Sequence, residues 1–507
     1  MSMALSNTPE AITAGPQSHP TIRESWNVDV MHIIMSYADL RVVSNLMQTC
    51  SALNYAGTKY LLADGLTLRS EYGLVSFLYF FRAHGALGEC ARRLALLNKV
   101  TIDFYYEPSE YVAPVLECLF EVFALTAFNL TSLKISNTEA LLVLHPPLGT
   151  AIAKLRTLKT VDFFNTGVHC ATLLRTLQSS LVTVKLRFDL DTRAQEDDSE
   201  VLPEPDANPI LLLEGSQSTL ESLSVSCATP SPDGPYYPNM THLELSFAGF
   251  PYVKDYIRAF PNLQSLTCFD YTRFGDELAW HSRRGMAIVY QVYHGTWRSL
   301  RKFEGSLLTL WVLGLTCHIH CVRLSFAQQL GVDPNFLNDV IIDVRPSELA
   351  LRLPGAAWLL DDAVRAVLSE EGRLQVLEIY VLFHINEADD TVSVAHILNL
   401  LADVVRASSV PTFKLILDLT WMRVFRDRVE RDDEKKLPLM PFEVYLQDMD
   451  VDAYVDTLLA RVPSLKEVHV SVVEHRDRCP RQADRKRREP STAGAATNRD
   501  ETDASAS

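Results

Sequence analysis

The stretch LTSLKI at residues 130–135 carries the pattern on which most of the chain is built. Its apolar residues follow the spacing L-x-x-L-x-L. The last two point to the same face of a β-strand, because side chains alternate along a strand. The phrase returns as LESLSV at 220–225, LQSLTC at 263–268 and LQVLEI at 374–379. It predicts a series of short strands of one kind, with turns and helical stretches between them.

More varied runs of alternating apolar residues extend this series toward both ends of the chain. Many neighbouring runs begin 20 to 28 residues apart, and the interval grows to 40 or more where acidic or proline-rich inserts intervene, as at 189–209 and 228–238. A unit of this length buries its apolar face only against its neighbours. The further predicted strands are 66–68, 100–104, 158–163, 181–186, 240–245, 300–303, 321–324, 413–417 and 465–470.

The phrase and its period resemble those of leucine-rich repeats, in which each repeat adds one strand to a curved parallel sheet. The predicted fold class is α/β, with a short N-terminal helical module followed by an irregular solenoid of such repeats. Irregularity is expected because the asparagine that regular repeats carry is mostly absent. A doubly wound α/β sheet is the alternative. It is less favoured because no glycine-rich phosphate loop follows the first strand.

The N-terminal module lies in the stretch 26–57, WNVDVMHIIMSYADLRVVSNLMQTCSALNYAG. Its apolar residues recur at helical spacing, which predicts two short helices. Asp29 and Asp39 stand near the two helix starts, where a carboxylate caps free N–H groups and meets the positive end of the helix dipole. Two short helices joined by almost no linker cannot bury both of their faces alone. The module therefore needs a partner, either elsewhere in this chain or in another protein.

This module resembles an F-box, in the divergent form found in F-box and leucine-rich-repeat proteins of fungi. Residues 28–31 (VDVM) are similar to the start of the motif's first helix, 34–39 (IMSYAD) to its I-x-S-Y-L-D core, and 46–50 (LMQTC) to its closing helix. The sequence departs from the motif at 26–27, where Trp-Asn replaces Leu-Pro, and at Ala38, which replaces a leucine. The resemblance covers about 35 of the 507 residues.

The resemblance implies a substrate-receptor subunit of an SCF-type cullin-RING ubiquitin ligase. Such a subunit binds the Skp adaptor through the F-box and a protein substrate through the repeats, and it carries out no chemistry itself. The alternative is a repeat-type interaction scaffold whose F-box has become a structural cap. Apolar faces turned outward favour adaptor docking, and faces sealed against residues 60–96 favour the cap. The expected adaptor-binding residues are Val28, Val30, Ile33, Ile34, Tyr37, Leu40, Val43 and Leu46.

The composition divides the chain into four segments. Residues 1–20 and 474–507 lack core residues and are predicted to be a disordered lead-in and a disordered tail. Residues 21–65 form the F-box-like module and 66–473 the repeat domain. The tail contains a basic cluster at 485–488, RKRR. It is interpreted either as a nuclear-import signal or as part of a solvated charged tail.

Charge and cysteine content limit the partners and the compartment. The net charge of −16 argues against a general nucleic-acid binder, which usually has a basic surface. The nine cysteines are scattered without paired spacing, no signal peptide is recognisable, and the longest apolar runs are too short to span a bilayer. These features predict a reducing compartment, the cytoplasm or the nucleus, and no membrane partner.

Catalytic and metal-binding chemistry is not predicted. The segment 317–321, CHIHC, has residue types that suit zinc, but on a strand Cys317 and Cys321 point to one face and His318 and His320 to the other. No serine-hydrolase, zinc-protease or phosphate-loop phrase is present. An α/β enzyme would also require a pocket with converging polar groups that the sequence does not reveal. We therefore expect no enzymatic activity, no cofactor and no metal.

Overall fold

The computed structural model describes fourteen segments of the chain, and over them the fold is α/β. They are residues 28–82, 93–104, 106, 108–126, 129–188, 207–228, 234–246, 253–269, 277–325, 335–369, 374–383, 393–419, 439–473 and 479–487. The predicted disordered lead-in at 1–20 lies outside these residues, as do residues 189–206 of the first insert and 229–233 of the second.

Strands and helices alternate along most of the described chain. The strands are β1 (Leu66–Leu68), β2 (Lys99–Ile102), β3 (Ser132–Ile135), β4 (Thr160–Thr166), β5 (Thr183–Phe188), β6 (Ser222–Ser226), β7 (His242–Ser246), β8 (Ser265–Phe269), β9 (Ser299–Ser306), β10 (His318–Ser325), β11 (Glu348–Leu353), β12 (Val376–Leu382), β13 (Thr412–Asp418), β14 (Glu467–Val473) and β15 (Arg481–Lys486).

Three helices precede the first strand, and the others lie in the connections between strands. The α-helices are α1 (Val28–Tyr37), α2 (Leu40–Met47), α3 (Ser51–Leu61), α4 (Glu71–Arg82), α5 (Val112–Thr126), α6 (Thr138–Leu144), α7 (Pro146–Ala153), α8 (Val168–Thr176), α9 (Pro209–Leu212), α10 (Val253–Ala259), α11 (Glu277–His294), α12 (Leu307–Leu313), α13 (Asn335–Val344), α14 (Asp362–Leu368), α15 (Val394–Ser408), α16 (Pro441–Asp448) and α17 (Val451–Arg461).

The strands form one sheet in which their order is the order of the chain. Each strand from β1 to β14 pairs in parallel with the next, and β15 pairs with β14 in the antiparallel direction. The strand order does not reverse at any point, as a doubly wound sheet would require. The α/β class is therefore confirmed, and the doubly wound alternative is wrong for the described residues.

The L-x-x-L-x-L phrase builds the core that joins the sheet to its helices. In the stretch 130–135, Leu130 lies buried just before β3, and Leu133 and Ile135 are buried from the strand itself. The corresponding residues of the phrases at 220, 263 and 374 are also buried, each at most 7% exposed. Because the strands pair in register, these side chains stack from one strand to the next and form a continuous apolar column.

The predicted strands are observed, most of them with shifted ends, and two observed strands, β11 and β15, were not predicted. The strand β11 has the alternating sequence ELALRL and buries Leu349, Leu351 and Leu353. It lies in the long interval between the predicted strands at 321–324 and 374–379. It was not predicted because its sequence does not have the L-x-x-L-x-L spacing.

The prediction of a disordered tail at 474–507 is wrong for residues 481–486, which form β15. Only Ala483 of this strand is buried. Arginines in this strand and directly after it instead act as hydrogen-bond donors to the ends of helices. Arg481 Nη1 donates to the carbonyl oxygens of Gln447 and Met449, both at 3.0 Å. Arg487 Nη1 donates to the Pro463 carbonyl at 2.9 Å. The segment is held by charge-assisted hydrogen bonds, which the apolar pattern of a sequence does not register.

We expect the close approach of β8 and β9 to make Gly305 indispensable. A Cβ atom at this position would lie 2.3 Å from the Cys268 carbonyl oxygen of the paired strand. Gly305→Ala should therefore lower the free energy of unfolding by about 1–3 kcal/mol, measured by chemical denaturation. The matched control is Gly285→Ala in α11, where a Cβ meets nothing within 4 Å, and which should raise it by about 0.5–1 kcal/mol. Equal effects at both positions would contradict the steric explanation.

Candidate partner-binding surfaces

The three N-terminal helices form a module with a small core of its own. Met35 of α1 and Val43 and Met47 of α2 are buried together, apart from the main core of the sheet. The helix α2 begins at the predicted cap, because Asp39 Oδ1 accepts a hydrogen bond from the Val42 amide at 2.8 Å. Gly57 of α3 lets the two helices approach, since a Cβ there would lie 2.2 Å from Met47 Cγ.

The module is attached to the sheet domain through α4. Phe80 of α4 packs against the module's core. The Arg93 guanidinium lies 4.9 Å from the centroid of the Phe80 ring. Its Nη1 donates to the Phe80 carbonyl at 2.9 Å and its Nη2 to Asn54 Oδ1 of α3 at 3.2 Å. One buried arginine thus ties α3 to α4, so that the module is held against the domain that follows it.

The outer side of the module exposes large apolar side chains, which we call the α1–α2 face. The exposed fraction of these side chains ranges from 41% for Val42 to 89% for Tyr37. Exposed apolar residues are common singly, but a group of them on two consecutive short helices is typical of a binding surface. The face consists of Val30, Ile33, Ile34, Tyr37, Leu40 and Val42.

The structure divides the predicted adaptor-binding residues between the two sides of the module. Val30, Ile33, Ile34, Tyr37 and Leu40 are all on the exposed face. In contrast, Val43 is 1% exposed and belongs to the module's own core, and Leu46 is partly buried against that core. Val28 is the first residue of α1, and its side chain lies outside the described part of the structure.

A second surface is the exposed side of the sheet, opposite the side that carries the buried residues. We call it the sheet face. Alternation along each strand places one residue of every strand from β2 to β15 in a single row across this face. Each member of the row is partly or fully exposed. The row consists of Thr101, Lys134, Asp162, Lys185, Ser224, Glu244, Thr267, Glu304, Arg323, Ala350, Glu378, Lys414, His469 and Asp484.

Strand alternation predicts the sides of Cys317, His318 and His320 correctly, but it is wrong for Cys321, which is partly exposed while its neighbour Val322 is buried. Cys317 and Ile319 are buried, whereas His318 and His320 are exposed on the opposite side of β10. Burial raises the pKa of the Cys317 thiol to about 11, so the thiol stays protonated at neutral pH. Within the described segments, no three histidine, cysteine or acidic residues are grouped so that they would hold a metal ion.

The helices described here include none that is both long enough and apolar enough to cross a membrane.

The basic cluster at 485–488 forms ion pairs in the structure. The Arg485 guanidinium lies 2.5 Å from Asp452 Oδ1, and Lys486 Nζ lies 3.2 Å from Glu467 Oε1.

Comparison with known proteins identifies no family for this chain. No protein-family model matches the chain, and no curated protein is similar to it at a significant level.

Sequence reasoning missed two features of these surfaces. Val42 lies on the exposed face. It was not predicted to bind the adaptor, because its spacing from Ile34 and Leu40 does not place it on the same helical face as they are. The arginine that anchors the module, Arg93, is far from Phe80 and Asn54 in the chain, and only the folded structure brings the three together. A charged residue within a largely apolar stretch is the one available signal for such an anchor.

We expect the inner and outer residues of the module to differ in their effect on stability. Met35→Ala removes a side chain that is 1% exposed and should lower the free energy of unfolding of the module by about 2–5 kcal/mol. Ile33→Ala removes a side chain of similar size that is 59% exposed and should change it by no more than about 0.5 kcal/mol. Hydrogen exchange of α1 to α3 measures both, and a loss of protection in the Ile33 variant would show that this residue supports the fold.

Proposed function

We propose that this chain is a substrate-receptor subunit of an SCF-type cullin-RING ubiquitin ligase. In this proposal the α1–α2 face binds the Skp adaptor and the sheet face binds a protein substrate. The chain itself carries out no chemistry. It raises the concentration of the substrate near a catalytic subunit that is held elsewhere in the complex. Its working place would be the cytoplasm or the nucleus.

The observation that carries the proposal is the separation of the two sides of α1 and α2. Met35, Val43 and Met47 satisfy the packing needs of the module, so the exposed Ile33 and Ile34 are not required by its core. Binding surfaces of proteins combine such a group of large apolar side chains with a polar rim. The resemblance of the same residues to an F-box identifies the adaptor as the proposed partner.

The sheet supports the second half of the proposal. Strands that follow one another in chain order, with a helical connection after nearly every strand, are arranged as in a repeat solenoid, and we propose that residues 66–473 form an irregular one. Solenoids present long surfaces whose exposed strand residues vary from repeat to repeat. The sheet face has this character, because its row changes from basic to small and polar and then to mixed charge along the chain.

A second candidate function is a repeat-type interaction scaffold with no ligase role. It is favoured by Val43 and Leu46, which contribute to packing inside the module, and by the Arg93 anchor, which makes the module a fitted cap on the sheet domain. The replacement of Leu-Pro by Trp26-Asn27 points the same way.

Co-purification with the Skp adaptor tests the proposal. The full chain should retain the co-expressed adaptor, and the triple variant Ile33→Asp, Ile34→Asp, Leu40→Asp should weaken binding by about a hundredfold or more, because three charges would be buried in an apolar interface. The matched control is Met286→Asp, Val289→Asp, Val292→Asp on α11, whose side chains are 55–73% exposed in the wild type. This control should bind as the wild type does.

Thermal melting of each variant establishes that binding is lost without unfolding. If the wild-type chain does not retain the adaptor, or if the triple variant retains it as well as the wild type, the ligase proposal is wrong. The first of these results favours the scaffold.

A further inference from the structure

We infer that the part of the sheet face formed by Lys134, Phe164, Lys185 and Arg187, here called the basic cluster of β3–β5, binds an acidic segment of a polypeptide. This inference deepens the proposed function by naming the chemistry of the substrate. Binding of the acidic segment does not depend on the proposed function. Only the fate of the bound protein, as a ligase substrate, rests on it.

The cluster is built on three adjacent strands that pair in register. Lys134 on β3 and Lys185 on β5 stand on either side of Asp162 on β4, and Phe164 on β4 is paired with Arg187 on β5. The Phe164 ring lies 4.7 Å from Lys134 Nζ and 4.1 Å from the Arg187 guanidinium carbon, measured to its centroid. The aromatic ring therefore holds two cations on one surface at fixed positions.

Within the described part of the chain, the positive charge of this cluster is only partly neutralised. Lys134 forms an ion pair with Asp162 at 3.6 Å. Among the described residues, no carboxylate lies within the 4.0 Å ion-pair distance of Lys185 or Arg187, and both side chains are exposed. The cluster has three cations and one anion on a chain whose net charge is −16. A local excess of positive charge on a strongly acidic protein attracts anionic groups selectively.

Elsewhere on the sheet face the charges compensate each other. On β9, Lys302 Nζ lies 2.5 Å from Glu304 Oε2, and Glu304 is paired across the sheet with Arg323 on β10. At the far end, Lys486 Nζ lies 3.2 Å from Glu467 Oε1. Charges of opposite sign thus lie together at these two places, in contrast to the excess of cations on β3–β5.

The dimensions of the cluster suit an extended peptide. Lys134 and Lys185 are two strands apart, a distance of about 10 Å, which an extended chain covers in about three residues. The neighbouring row on the same strands consists of small hydroxyl residues, Ser132, Thr160 and Thr183, which leave room for a backbone and offer hydrogen bonds to it. Two acidic side chains on the same side of such a peptide, two or four residues apart, would therefore reach both lysines.

An acidic polypeptide is favoured over a nucleic acid, which also binds basic and aromatic residues. Single-stranded nucleic acids stack their bases on exposed aromatic rings. The Phe164 ring already contacts cations from the strands on either side of β4, so its faces are not free for a base. The net charge of −16 would also repel a long polyanion whose charge extends well beyond the cluster.

Fluorescence anisotropy with a labelled glutamate peptide of about ten residues tests the inference on the full chain. The wild type should bind the peptide, and the affinity should fall as salt is raised from about 50 mM to about 300 mM, because screening weakens exposed charge pairs. A glutamine peptide of equal length should not bind. Lys185→Glu with Arg187→Glu should weaken binding by about tenfold or more, and Phe164→Ala by about threefold, since the ring positions the cations.

The control variant is Arg298→Glu with Arg301→Glu, which makes the same change in net charge at two exposed arginines outside the cluster. It should bind the glutamate peptide within about twofold of the wild type. The inference is overturned if the wild type does not bind this peptide, if the control loses binding equally, or if an oligouridylate of similar length binds more tightly to the same residues. Adaptor co-purification reports on the α1–α2 face alone, so a chain that retains the adaptor but not the peptide contradicts only this inference.

Discussion

Backbone pairing between each strand and the next one along the chain is the constraint on which the rest of the molecule depends. Side chains alternate between the two sides of a strand, so the register of each pair decides which residues are buried and which are exposed. A slip of one residue between β4 and β5 would turn Val184 and Leu186 outward and Lys185 and Arg187 into the core. The apolar column and the charged row on the opposite side are therefore two results of the same hydrogen-bond ladder.

The N-terminal module follows a different rule, because its packing is local. Three short helices surround the side chains of Met35, Val43 and Met47, and Phe80 packs against both this small core and the main core. Since Arg93 bonds to both sides of the junction, the module has a fixed orientation toward β1 and the sheet. The proposed receptor role requires such a defined relation between the module and the sheet, because the substrate has to be presented to a distant catalytic subunit.

Much of the fold could be predicted because the apolar phrase is local and repeated. The segments at 130–135 and 220–225 each contain the residues that decide their own burial. The strand β15 could not be predicted in this way, because Arg481 and Arg487 are held by carbonyl groups far away in the chain.

The candidate site was predicted in part. The helix α1 is apolar on more than one side, and helical spacing alone does not tell that Met35 faces inward and Ile33 outward. The basic cluster of β3–β5 was not predicted, since its members meet only through the register of the sheet.

The antiparallel strand β15 also affects how two molecules meet in a concentrated solution. An open sheet ends in unpaired backbone groups, and such an edge is a template onto which a strand of another molecule can add. Here the last strand has the sequence RQADRK, with Asp484, Arg485 and Lys486 exposed along it. A second copy that approached this edge with its own β15 would bring like charges together and would have to desolvate them. The charged side chains of this strand therefore disfavour the addition of a second copy at this edge of the described sheet.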